Sequence, residues 1–212
     1  MFLPFISGCS VVNFSGNYYN LPQNYKNEIT GLWLQLNSAL PLKHKYTINL
    51  AAEEEIKGLK GIPALTQNNT VIMPVNFVKY VYQNYYDDRI KIFTCVIVHE
   101  MAHAEFGLPS QPPDAHFKTD FAAIKLLGDQ DSNSAQYFYN SFKVLHNYWF
   151  ARKGMAGHTL NVGWNVANAA ALAYGGTANF KDWFATDIKI RLKLLRKNFT
   201  IDRRAAFKRS RG

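Results

Sequence analysis

A mainly α, α+β fold is predicted for this 212-residue chain by three features: long stretches with apolar residues at helical spacing, a few short β-forming segments confined to residues 45–75, and a hydrophobic content of 48% with 15% aromatics. That balance, with 18% charged residues, excludes a disordered chain, a coiled coil and a collagen-like repeat. The pattern divides into an N-terminal segment over 1–23, a compact domain over 24–130 with a small sheet beside an apolar helix, a helical extension over 131–199 and a basic tail over 200–212.

The elements follow in order. Residues 24–40 place Ile29, Leu32, Trp33 and Leu36 on one helical face and stop at Pro41, predicting a first amphipathic helix. Residues 45–50 alternate β-formers. After the acidic run Glu53, Glu54 and Glu55, residues 62–65 and 70–75 read as two strands joined through Gln67, Asn68 and Asn69, the last pair a hairpin. From Asn76 a helical pattern carries Val78, Val81, Tyr82, Tyr85 and Tyr86, breaks at Asp87 and Asp88, and resumes over 90–106, ending at Gly107. Asp114 is expected to N-cap a helix over 115–127 that Gly128 closes. Helices are then expected over 135–150, 162–174 and 180–199, with residues 200–212 frayed.

The chemistry is concentrated in His99-Glu100-Met101-Ala102-His103. Two histidines at i and i+4 on a helix project from one face and can share one metal ion. Glu100 is displaced around the axis, where it can take a proton from water at the metal without being a ligand. Two buried histidines satisfied by backbone carbonyls would account for the pair, but not for the glutamate between them. Cys95 lies one turn before His99 on the same stripe, and a small buried hydrophobe is the expected role for it. His116 and Asp120 also share a helical face. His116 is therefore the simplest third ligand, with Asp120 either fixing a ligand imidazole or itself the ligand, and Glu105 and Asp114 as further candidates.

This His-Glu-x-x-His segment, preceded by strands and a helix and followed by another helix, resembles the zincin metallopeptidases over about residues 25–128. The resemblance implies that His99 and His103 bind catalytic zinc, that Glu100 activates water and that a third ligand follows downstream. The metzincin pattern would place a histidine where Pro109 stands, and the gluzincin Glu-x-x-x-Asp is replaced by His116-Phe117-Lys118-Thr119-Asp120. A histidine on the next helix is similar to the SprT-like families, although the glycine usual after it is Phe117 here, so the subfamily stays open. The activity implied is zinc-dependent endopeptidase acting on a protein or peptide. The rival expectation is a non-enzymatic structural or nucleic-acid-associated protein, such as a phage virion component, that retains a zincin fold. His158, in a glycine-flanked stretch, is a candidate oxyanion donor.

Charge is uneven. Residues 181–212 carry 11 Lys and Arg against 3 Asp, or +8 of the net +9. Apolar Phe184, Ile188, Leu192, Leu195 and Phe199 alternate there with Lys189, Lys193, Arg196 and Lys197, which fits a docking helix with a solvated basic face, a nucleic-acid contact reinforced by Arg203, Arg204, Lys208, Arg209 and Arg211, or a membrane-surface or acidic-partner contact. No run is long enough to span a bilayer. Ile6-Ser7-Gly8-Cys9 fits a lipoprotein lipobox but lacks a basic flank, so a buried N-terminal segment is expected, with lipidation the alternative. A cytoplasmic or virion-associated location is expected.

Overall fold

The computed structural model describes residues 13–14, 21–52, 62–109, 113–128, 132–153 and 183–210. Within them lie strands β1 (Asn13–Phe14), β2 (Thr47–Ala51), β3 (Leu65–Gln67) and β4 (Thr70–Pro74). The helices are α1 (Gln23–Ala39), α2 (Val75–Asn84), α3 (Arg89–Phe106), α4 (Pro113–Leu126), α5 (Ser132–Lys153) and α6 (Trp183–Asn198), with a 3-10 turn at Tyr86–Asp88 between α2 and α3. The fold is mainly helical with one small mixed sheet, as expected. The lipobox residues, the acidic run at 53–55, the helix expected over 162–174 and His158 lie outside the described residues.

The sheet runs β1-β2-β4-β3, with β1, β2 and β4 parallel and β3 antiparallel to β4. In the central pair, Ile48 stands beside Val71 and Leu50 beside Met73, so the period-2 pattern sends four apolar side chains to one face. Asn68 and Asn69 join β3 to β4 with φ of 48° and 59°. Two positive φ values in a two-residue connection are what a type I′ hairpin demands, and asparagine tolerates them better than other side chains. The N-terminal segment supplies the outer strand β1, a strand that the sequence pattern did not predict.

The centre of the molecule is α3. It buries Ile92, Phe93, Val96, Ile97, Val98, Met101 and Ala102 on nearly every side, which marks a core helix and not an amphipathic surface one. It packs on α1, α4, α5 and the edge strand β3. Phe77 of α2 bridges it to α5, with ring centroids 6.2 Å from Phe93 and 5.1 Å from Tyr148. Trp33 and Asn37 of α1 both donate to the Tyr46 carbonyl, at 3.1 and 3.3 Å, and Asn37 accepts from the Tyr46 N–H at 2.9 Å. These bonds tie the first helix to the start of β2.

Two expectations are corrected at the chain's C-terminal half. Asp114 does not cap α4: the helix already begins at Pro113, whose fixed φ and missing N–H suit a first helical position, so Asp114 falls in the first turn. Residues 200–210 are not frayed. They form a strap in which the Ser210 N–H donates to the Asn84 carbonyl at 2.8 Å, the Lys208 N–H to Asp88 at 3.1 Å, and Lys143 to the carbonyls of Arg203 and Ala205, both at 3.0 Å. Ile201 and Phe207 pack against the core. Periodicity cannot reveal such a segment, because it is held by backbone groups and two isolated apolar anchors.

Ending the chain at Phe199 removes both anchors and all four of these hydrogen bonds. It is expected to lower the unfolding free energy by about 2 kcal/mol or more, read as an earlier urea midpoint at unchanged slope. An unchanged midpoint would show that the strap adds nothing to stability.

Candidate metal centre

α3 and α4 bring His99, His103 and His116 to one point. His116 Nε2 lies 3.0 Å from His99 Nε2 and 3.1 Å from His103 Nε2. One ligand atom from each residue lies within 4.8 Å of the others, so the three can hold a metal ion. Among the described residues no other group of three or more His, Cys, Asp or Glu is placed to do so. His99 and His116 are buried and His103 is half-buried.

Each imidazole is fixed from behind by an acceptor. His99 Nδ1 lies 2.9 Å from Asp120 Oδ1, His103 Nδ1 2.8 Å from the Leu108 carbonyl, and His116 Nδ1 3.1 and 3.3 Å from the two Asp187 oxygens. Carboxylates and carbonyls can only accept, so all three Nδ1 atoms carry the proton and all three Nε2 atoms turn a lone pair inward. The His116 Nε2 lone pair thus faces two others at 3.0 and 3.1 Å with no hydrogen among the three to share, a repulsion that a cation between them would relieve. Zinc bonds of about 2.0–2.1 Å at tetrahedral angles would separate two ligand nitrogens by about 3.3 Å, close to the spacing found. The donor set therefore fits the ion.

Local sequence accounts for each support. Gly107 ends α3 with φ 59°, and both its N–H and that of Leu108 return to the His103 carbonyl. This left-handed turn, open to glycine without strain, folds the Leu108 carbonyl back onto the His103 ring. Asp120 stands one turn beyond His116 on α4, so the shared face seen in the sequence places both in the centre. Asp120 supports His99 and does not itself join the cluster.

Asp187 and Arg191, one turn apart on α6, are the residues that sequence reasoning missed. Arg191 Nε donates to Asp120 Oδ2 at 2.8 Å, its Nη2 to Asp120 Oδ1, and its Nη1 to Asp187 Oδ2 at 3.1 Å. The guanidinium also lies 4.2 Å from the centre of the Phe142 ring. All three charged residues are buried. A signal existed: both positions fall on the arc of α6 opposite Lys189 and Lys193, where an amphipathic helix should be apolar.

Burial and the neighbouring Arg191 cation both hold His99 and His116 below the usual histidine range, which keeps them neutral and metal-ready. Burial would raise Asp120, but Arg191 outweighs it and holds the carboxyl well below the ordinary value. Burial also pushes Glu100 above the usual carboxylate range, opposed by His103 and by a hydrogen bond from Thr66. Thr66 Oγ1 sits 2.8 Å from the Glu100 carbonyl and 3.0 Å from its Oε2, tying edge strand β3 to the helix.

The remaining candidates lie elsewhere. Glu105 is a structural acceptor, taking hydrogen bonds from the Lys43 N–H at 2.7 Å and the Tyr46 hydroxyl at 2.8 Å. Asp114 is exposed. Cys95 is fully buried against Ser141, and burial pushes its thiol up to about 12, the behaviour of an inert core residue.

Comparison with family models, curated proteins and solved structures finds no match to this chain.

Glu105→Ala strands the buried Tyr46 hydroxyl and the Lys43 amide. It is expected to destabilise the fold by about 2–4 kcal/mol in urea denaturation while leaving divalent-metal uptake per chain unchanged. Loss of metal uptake in this variant would return Glu105 to the candidate ligands.

Proposed function

We propose that the protein is a zinc-dependent endopeptidase of zincin type, with His99, His103 and His116 as ligands and Glu100 as the general base. The observation that supports this most directly is the convergence of three Nε2 lone pairs beside a buried glutamate of the same helix. Zinc, when bound, would supply a Lewis acid that acidifies a water molecule and polarises a peptide carbonyl.

The chain's own residues do the rest. Thr66 engages Glu100 Oε2, which leaves Oε1 to receive the proton of the attacking water and hand it to the departing amine. The raised proton affinity of the buried carboxylate favours that role over the one an exposed glutamate could play. Among the described residues β3 pairs with β4 alone, so its outer edge offers main-chain groups that could hold an extended peptide beside the helix. A purely structural metal site would require neither Glu100 nor the edge.

The stripe of Lys189, Lys193, Arg196 and Lys197 is exposed, and these side chains have no carboxylate partner among the described residues. It supports an additional contact with an acidic partner, nucleic acid being the first to test. That contact also belongs to the rival reading, a non-enzymatic nucleic-acid-associated protein.

His99→Ala, His103→Ala and His116→Ala are each expected to lose stoichiometric zinc in elemental analysis. Glu100→Gln should keep zinc and fold while cleavage of an unfolded protein substrate falls by about 10²-fold or more. Equal cleavage by Glu100→Gln and the parent would remove Glu100 from the mechanism, and cleavage by neither, with zinc present, would favour the rival reading. If the basic stripe meets phosphates, retention on DNA or RNA should fall log-linearly with salt, and replacing the four cations by glutamine should flatten the slope by about 3–4. No salt-sensitive retention at low ionic strength would remove nucleic acid as the partner.

A further inference from the structure

From the buried clasp Asp120–Arg191–Asp187, we infer that α6 is an integral part of the metal centre, with Arg191 the positioning residue that aims two of the three ligands. The inference rests on the metal reading above and deepens it by assigning α6 a role in metal affinity.

Two carboxylates stand behind two ligand imidazoles, one from α4 behind His99 and one from α6 behind His116. A single guanidinium holds both. Its fork meets both oxygens of Asp120, and a bidentate pair fixes the plane of the carboxylate as well as its distance. Asp187 is held from one turn away on the same helix. The carboxylates in turn set the ring planes of His99 and His116, and hence where their Nε2 lone pairs meet.

The ring of Phe142 on α5 lies 4.2 Å from the guanidinium and holds the fork against the two carboxylates. Because α6 contributes both members of an i,i+4 pair, undocking the helix would release the acceptor of His116 and the partner of Asp120 together. Metal occupancy and docking of α6 must therefore stabilise each other, as linkage requires of two events that share one set of contacts.

The full-length chain is tested by titrating zinc against a chromophoric chelator, recording the electronic spectrum of the cobalt(II) form, and measuring hydrogen exchange at the amides of residues 187–195 with and without zinc. Arg191→Lys keeps charge but loses the fork, and Asp187→Asn keeps shape but loses charge. Both are expected to lower zinc affinity by about 10–100-fold and to shift the cobalt(II) bands, while Lys193→Gln on the opposite face changes neither. In the parent, zinc should slow exchange across α6 by about tenfold or more. Parent-like affinity and spectrum in both folded variants would overturn the inference and leave the metal reading standing. If Arg191→Lys does not fold, Asp187→Asn and the exchange measurement decide, and zinc-independent protection of α6 overturns the coupling. A parent chain that takes up no zinc overturns the metal reading itself, and the inference with it.

Discussion

Everything in this molecule follows from burying α3 on nearly all sides while it carries two histidines and a glutamate. A polar side chain in a core must find partners or cost several kcal/mol, and here three neighbouring elements exist in large part to supply them. Leu108 returns from the left-handed turn at Gly107, Asp120 comes from α4, and Thr66 comes from the edge strand. The partners bind the Nδ1 side of the imidazoles and leave the Nε2 atoms to face one another. Burial has thus gathered three ligand atoms at one point, close enough together to hold a metal ion.

The clasp behind the histidines shows why burial and charge must be solved together. Asp120 alone would be pushed toward neutrality by burial, and Arg191 alone would be a stranded cation. Paired through a fork, each keeps the other ionised, and Asp187 forms a second ion pair with the same guanidinium. Such a buried network is weak evidence for stability, since apolar residues of similar volume would often do as well. Its value lies in orientation: it holds acceptors at fixed angles behind the rings, which an apolar core could not do.

Much of this was legible in advance, because local chemistry left marks in the sequence. The helical spacing of Ile29, Leu32, Trp33 and Leu36, the Asn68–Asn69 turn and the Gly107 stop all act within a few residues of where they are read. His116 and Asp120 were found together because four residues along a helix is one turn. The contacts 71 residues apart in sequence, His116 with Asp187 and Asp120 with Arg191, leave no local mark beyond two charged residues on the buried arc of α6. The strap over 200–210 leaves less still, since backbone groups make most of its bonds.

The +8 of the C-terminal segment shows how a summed charge misleads when part of it faces inward. Arg191 is buried between Asp120 and Asp187 and is closed to any partner. The cations of α6 that remain at the surface lie across the helix from Asp187 and Arg191, separated from the clasp by roughly the 10 Å width of a helix and screened by solvent over a similar distance. A partner bound to that stripe could not neutralise the clasp directly. It could reach the histidines only by moving α6 as a body, because that helix carries both Asp187 and Arg191.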